Sequence, residues 1–391
     1  MMAPLEQAFS RVFSWCRNHD FTGFDPFDGL NSRLFQSLPF RRSRTARLLW
    51  TQFFKRSPIN FRTLARISPE RNSKGIALFA LSALAKYRTH RTKEAEGEAL
   101  ELLDDLLSMS FKGFKGAAWG YNFDWQGRAF FAPRGTPTIV PTAFAARALV
   151  EASDCLDNSE FLPFARTICD FILNDLKRSE ETSDEVCFSY SPLDHTRVFN
   201  ASLLAGEVLA VVGKRVRDPG LCEWGMRAAR YVIRRQHADG SWAYGADSYQ
   251  GWADNFHTAF ILTSLSRIID SCESGRDEFE SALVRGYEFW RDRFFLTNGW
   301  PKYFPDRLYP ADAHSTGAAL VALVELRGRI PGTLMLADKI AEWALANLQS
   351  SEGYFYYQRR RFYNNRIPYM RWSQAWMAYG LARVIEVKSL K

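Results

Sequence analysis

Histidine and cysteine are scarce in this 391-residue chain, with six of each. Cys16, Cys155, Cys169, Cys187, Cys222 and Cys272 are scattered without a CxxC pair, which argues against a zinc site built from them. Most occupy helical or apolar positions and read as reduced structural thiols of a cytosolic protein. No run approaches the roughly 18–20 apolar residues that span a bilayer. Met1 to Asp20 carries Glu6, Arg11 and Arg17 through an amphipathic helix, so it does not read as a signal peptide. Low-complexity tracts are also missing. The composition, 47% hydrophobic and 24% charged, is that of a globular protein.

What is present is a sixfold repeat. Six small-residue helices, nearly free of charge, open at Asn72-Ser73-Lys74-Gly75, Val140-Pro141-Thr142-Ala143, Val198-Phe199-Asn200-Ala201, Asn255-Phe256-His257-Thr258, Ala313-His314-Ser315-Thr316 and Arg371-Trp372-Ser373-Gln374. Helices of this kind are buried nearly all round. Between them run amphipathic helices at about 92–110, 161–178, 221–236, 280–295 and 333–349, with residues 5–18 as the sixth. A single hairpin cannot bury its own apolar face, so the repeats must stack. The pattern predicts an all-α fold, an (α/α)6 toroid spanning 1–391 as one domain, with a basic insertion at about 36–70. Ring closure then requires the last buried helix to pack beside the first outer one.

Each outer helix leads into an aromatic loop, and most of these loops carry a glycine: Phe24-Asp25-Pro26-Phe27-Asp28-Gly29, Trp119-Gly120-Tyr121-Asn122-Phe123-Asp124-Trp125, Cys187-Phe188-Ser189-Tyr190, Gly240-Ser241-Trp242, Gly299-Trp300-Pro301-Lys302-Tyr303 and Gly353-Tyr354-Phe355. Glycine ends a helix in the left-handed conformation and the aromatic folds back as a plug. Aromatics make up 15% of the chain. Placed in loops that would ordinarily be polar, they point to a lined cavity as well as to plugged ring ends.

The net charge of +8 is concentrated in two clusters: Arg41, Arg42, Arg44, Arg47, Lys55 and Arg56, and Arg359, Arg360, Arg361 and Arg366. Such clusters suit phosphates, a membrane surface, a lipid-linked substrate or an acidic glycan, and equally a solvated face. No nucleic-acid motif accompanies them.

The segment from Ala228 through Gln236 to Gly240-Ser241-Trp242 is similar to the QW repeat of squalene-hopene cyclases, with a weaker echo from Trp343 through Gln349 to Gly353. Asp254-Asn255-Phe256-His257-Thr258 resembles a segment of protein prenyltransferase β-subunits. Both resemblances imply the α/α toroid, a ring shared with six-hairpin glycosidases, polysaccharide lyases and glucuronyl C5-epimerases. The loops together resemble toroid proteins of polysaccharide-biosynthesis loci, which implies a glycan substrate and a cytosolic setting. The terpenoid reading lacks its chemistry: there is no DxDD acid motif, and no cysteine stands where a prenyltransferase zinc site needs one.

Sugar chemistry is better supplied. His195, His257 and His314 sit near the starts of buried helices, each beside an aspartate: Asp194, Asp254 and Asp312. An imidazole at a helix N-terminus is poised for proton transfer near neutral pH. Asp194 and Asp312 read first as helix caps, and Asp254 as a functional acid. Asp124, Asp254, His257 and Arg128 are the expected catalytic set, with Asp124 or Asp254 as acid or base and Arg128 steadying negative charge. Asp25, Asp28, Trp119, Tyr121, Trp125, His195, Trp252, Tyr303, His314, Arg371 and Trp372 are expected to face the substrate. Two carboxylates across the cavity would serve glycoside hydrolysis. A histidine or tyrosine with an arginine would serve proton abstraction, as in a lyase or epimerase. No cofactor or metal is expected, since Asp25 and Asp28 lack EF-hand spacing. An isoprenoid enzyme and a non-catalytic glycan-binding scaffold are the rival readings.

Overall fold

The computed structural model describes residues 2–127, 130–272 and 275–390. Six helices form an inner ring: α4 (Ser73–His90), α6 (Ile139–Cys155), α8 (Phe199–Val216), α10 (Asn255–Ser271), α12 (Ala313–Glu325) and α14 (Ala375–Ser389). Each packs on the next, and α14 packs on α4 to close the circle. Their faces are buried all round, which accounts for the missing charge stripe. Outside lie α1 (Met2–Asn18), α5 (Lys93–Ser108), α7 (Phe161–Asn174), α9 (Pro219–Ile233), α11 (Arg276–Phe294) and α13 (Thr333–Leu348). Each of α5, α7, α9, α11 and α13 packs mainly on the inner helix before it in sequence, while α1 packs on α14. The first and last helices therefore make the sixth hairpin.

Close approach inside the ring depends on small residues. A Cβ on Gly317 of α12 would stand 2.4 Å from the Trp376 carbonyl oxygen of α14, and one on Gly380 only 2.8 Å from the Gly317 carbonyl oxygen. The two QW-like segments do the same task at different places. Gln236 Nε2 donates to the Gly240 and Ala282 carbonyls (2.9 Å each), and Gln349 Nε2 donates to those of Ala8 and Gly353 (3.0 Å each). Each glutamine thus ties its own helix end and loop to the neighbouring outer helix. Gly240, Gly299 and Gly353 are left-handed (φ 88°, 85° and 105°), as their loops require, whereas Gly23 and Gly120 are not.

The expected loops are partly extended. Short antiparallel ladders form between β1 (Trp125–Gln126) and β2 (Phe131–Ala132), between β3 (Arg178–Glu181) and β4 (Val186–Phe188), and among β5 (Ala311–Asp312), β6 (Gln358–Arg359) and β7 (Asn364–Asn365). The insertion folds as α2 (Arg33–Gln36) and α3 (Arg44–Arg56), with Phe54, Ala65 and Ile67 as a small core of its own. Among the described residues no helix is long and apolar enough to cross a membrane.

One end of the ring is filled by matched charges around an opening of about 320 Å³. Arg88 bonds Glu386 (2.5 Å) and Glu151 (3.0 Å), and Arg267 bonds Glu151 and Glu325 (3.2 Å each). Burial alone would raise the Glu151 carboxyl, but Arg88, Arg383 and Arg267 outweigh it and hold the group at about 2. Glu151 therefore contributes stability that is complete above the unfolded value of about 4.5 and is lost as pH falls toward 2. Melting curves of the wild type and Glu151→Gln should differ most above pH 5 and converge as the pH approaches 2. A gap that does not change with pH would assign the effect of the substitution to packing.

Candidate active site

The opposite end holds the wider opening, a cavity of about 960 Å³. Residues from the starts of all six inner helices reach it: Lys74, Val140, Asn200, His257, His314, and Arg371 in the turn ahead of α14. Topology explains the convergence, because the six inner helices are equivalent positions of one repeat.

Asp254 caps α10 by accepting the His257 backbone N–H (3.0 Å), and its Oδ2 lies 2.7 Å from His257 Nδ1. One buried carboxylate thereby both starts the helix and orients the imidazole. With Nδ1 engaged, Nε2 is the nitrogen left for the cavity. The ring is braced by Phe256 (3.9 Å between centroids) and Tyr244 (4.7 Å).

His314 is buried among Phe256, Trp372 and Trp376, at 4.3, 4.3 and 4.8 Å. Neither of its ring nitrogens meets a hydrogen-bonding partner among the described residues. Burial, with Lys74 and Arg371 nearby, pushes it well below the usual histidine range. Its neighbouring cap, Asp312, accepts the Ser315 N–H (3.1 Å), Gln358 Nε2 (2.8 Å) and Trp372 Nε1 (3.2 Å). Asp312 is raised to about 6 by burial, and its bond to the indole fixes Trp372 in the cavity wall.

Arg371 is the central cation. Its Nε and Nη2 donate to Asp25 Oδ2 (2.6 Å) and Oδ1 (2.7 Å), a bidentate pair between the first loop and the turn ahead of α14. The guanidinium stands 5.1 Å from the Tyr121 ring centroid and 5.3 Å from that of Trp372. Asp25 supports Arg371 from behind and is not itself part of the cavity wall.

Several expected site residues are placed elsewhere. Trp119 is a buried plug whose Nε1 donates to the Leu106 carbonyl (2.7 Å), which keeps it off the cavity. Asp124 accepts the Arg134 backbone N–H (2.7 Å) and ties its own loop rather than facing inward. Asp28 pairs with Arg62 (2.7 Å) under the insertion. His195 is exposed on the loop ahead of α8, because Asp194 caps the turn at Ser191 and Thr196 rather than the helix. Arg128 lies outside the described residues. Tyr121, Trp125, Trp252 and Tyr303 do line the cavity, and Trp252 stacks on Tyr244 (4.7 Å, 12°).

Two lysines of the cavity were not among the expected site residues. Lys74 lies on the floor with its Nζ 4.7 Å from the Phe144 centroid, 5.1 Å from Phe260 and 5.2 Å from Trp376, and no carboxylate bonds it among the described residues. Burial, reinforced by Arg371 and Arg147, pushes Lys74 well below the ordinary lysine range. The signal was a lysine in the first turn of an apolar helix, where the helix dipole disfavours a cation. Lys55 descends from α3 over the Phe27 ring (4.4 Å) and lines the mouth with Arg56. Among the described lining residues the charges are five cations, Lys55, Arg56, Lys74, Arg307 and Arg371, against Asp254 and Asp306.

No protein-family model and no curated protein matches the chain. Solved structures do. A cellobiose 2-epimerase from Bacillus thermoamylovorans superposes with a TM-score of 0.64 at 12% identity, over 81% of this chain and 88% of that one. A D-mannose isomerase gives 0.61 at 13% identity, over 81% and 87%. A family 76 α-mannanase from Bacteroides thetaiotaomicron gives 0.60 at 11% identity, over 81% and 86%. At identities this low the likeness shows the fold alone, and the chain is built as an α/α toroid of six helical hairpins.

Proposed function

We propose that this protein is a carbohydrate-processing enzyme that moves a proton at a carbon beside a sugar carbonyl or carboxylate, in the manner of an epimerase or isomerase. The observation that carries the reading is the composition of the cavity wall. Glycoside hydrolysis by the two-carboxylate route needs a pair of carboxyl groups facing the bond to be cleaved, about 5–9.5 Å apart. Here Asp254 is committed to His257, Asp25 to Arg371 and Asp312 to Trp372, which leaves Asp306 on the rim.

Two imidazoles do face the cavity. His257 Nε2 accepts the proton from carbon, the electron pair moves onto the adjacent oxygen, and Arg371 stabilises the charge that develops there. Return of a proton from the His257 imidazolium completes the exchange. Tyr121, Trp125, Tyr244 and Trp252 offer flat faces for sugar rings. A cavity of about 960 Å³ has room for more than one ring, and the cations at its mouth suit a phosphate or carboxylate on a polymer-bound or lipid-linked glycan. Polysaccharide assembly is the setting that this substrate class suggests. Five cations and two imidazoles make the cavity a poor container for an isoprenoid chain, and the Asp254–His257 pair is more than a binding scaffold needs.

Isotope exchange tests the reading. In deuterated water, a panel of aldoses, β-linked disaccharides and uronates should include one whose proton beside the carbonyl or carboxylate is replaced by deuterium, as followed by NMR. Release of new reducing ends from a polysaccharide without such exchange would instead make the protein a hydrolase.

A further inference from the structure

Residues 29–69 contain no aspartate or glutamate and nine arginines and lysines. Of the nine, Arg62 is buried against Asp28. Within this stretch large apolar side chains are also left in solvent: Leu64 is 78% exposed, Leu49 68%, Ile59 60% and Phe40 52%. On α3 the outward residues Thr45, Leu49 and Phe53 recur at helical spacing and make one stripe, while Leu48, Gln52, Lys55 and Arg56 turn toward the cavity.

Arg361 of the second basic cluster lies on a hairpin joined to this surface, whereas Arg359 turns to Asn347 and the Trp300 ring. Asn365 of β7 donates to the Ser57 carbonyl just beyond α3 (2.9 Å), which fastens the β6–β7 hairpin to the insertion. At the turn of that hairpin Phe362 is 85% exposed beside Arg361. Two segments about 300 residues apart in sequence thus present the same mixture of arginine and bare hydrocarbon at one end of the ring.

We infer that this face, α3 with its flanking loops and the β6–β7 hairpin, docks on a membrane surface rich in anionic phospholipid. Arginines meet headgroup phosphates while Leu49, Leu64 and Phe362 enter the boundary with the acyl chains, as amphipathic interfacial helices do. A polyanionic glycan would be matched by the arginines but would leave the apolar side chains without a partner. Because the inner side of α3 lines the cavity, docking sets the opening beside the bilayer, within reach of a substrate held by a lipid. The inference is independent of the reaction, since adsorption to vesicles is measured without turnover.

Co-sedimentation of the full chain with vesicles is the test. Phosphatidylcholine vesicles containing phosphatidylglycerol should bind the protein, pure phosphatidylcholine vesicles should not, and added salt should weaken the binding. Arg41→Gln with Arg42→Gln should lower the partition coefficient about twenty-fivefold, at about fivefold per cation. Leu49→Ser with Phe362→Ser should lower it as well, with the melting temperature unchanged because both side chains are exposed. Equal binding to both vesicle types would overturn the proposal. So would no binding to either, capture by an acidic polysaccharide alone, or concentration-dependent dimerisation through this face.

Discussion

Replacing His257 by glutamine should cut turnover by about 10²–10⁴-fold, the range removed with a general base, and leave the melting temperature nearly unchanged. The side chain is only partly buried, and its brace of rings tolerates a glutamine of similar reach. Asp254→Asn is the sharper variant. Asparagine is as good an N-cap as aspartate, so α10 should start as before. The second amide atom, however, would place an NH₂ against His257 Nδ1, forcing the imidazole proton onto Nε2 and removing the base from the cavity. Loss of turnover with an intact fold is therefore expected of both variants, measured as kcat beside a melting curve. If both variants stay folded and keep full turnover, the Asp254–His257 pair is not the proton acceptor.

The largest effect on stability should come from Arg147→Met. Arg147 of α6 and Glu207 of α8 are both buried, with Arg147 Nε on Glu207 Oε1 at 2.6 Å and Ser264 Oγ donating to Oε2 at 2.6 Å. Burial alone would raise the Glu207 carboxyl, yet Arg147 and Arg267 outweigh it and keep it below the ordinary glutamate range. Removing the arginine leaves the buried carboxylate with only Ser264 Oγ and the more distant Arg267 (3.7 Å), at a cost of about 3–5 kcal/mol. Arg147→Met with Glu207→Leu should recover most of that loss, because apolar residues of similar volume often replace buried pairs at little cost. Denaturant midpoints for the two single variants and the double variant give the coupling directly. Strict additivity would mean that the pair does not stabilise the ring.

The architecture was legible because burial leaves a compositional trace. Helices without a polar face must be surrounded, and six of them separated by amphipathic partners describe a ring. Asp254–His257 was legible for a related reason, since a cap and an imidazole three residues apart share one turn. Trp119 and Asp124 were misplaced because an aromatic loop serves two purposes, plugging the helix end and lining the cavity, and the local sequence does not say which ring turns inward. His195 followed the helix-start pattern, but α8 begins only at Phe199, after a loop that Asp194 organises. Lys74 stands in the opening turn of an apolar helix, and that incongruity was the clue to a buried cavity cation. The joining of the hairpin that carries Arg361 to the insertion depends on a contact between Asn365 and Ser57, which no local pattern encodes.

Pairing of α1 with α14 also bears on how the molecule is made. Chains emerge from the ribosome amino end first and tend to fold as they emerge. The apolar face of α1, with Leu5, Phe9, Val12 and Phe13, is matched chiefly to the last inner helix. Synthesised well before its partner, α1 must therefore wait, greasy side open, until α14 arrives. During that interval the nascent chain carries an open apolar surface of the kind that aggregates, and a ribosome stalled before α14 would leave an unclosed arc of helices rather than a smaller closed ring.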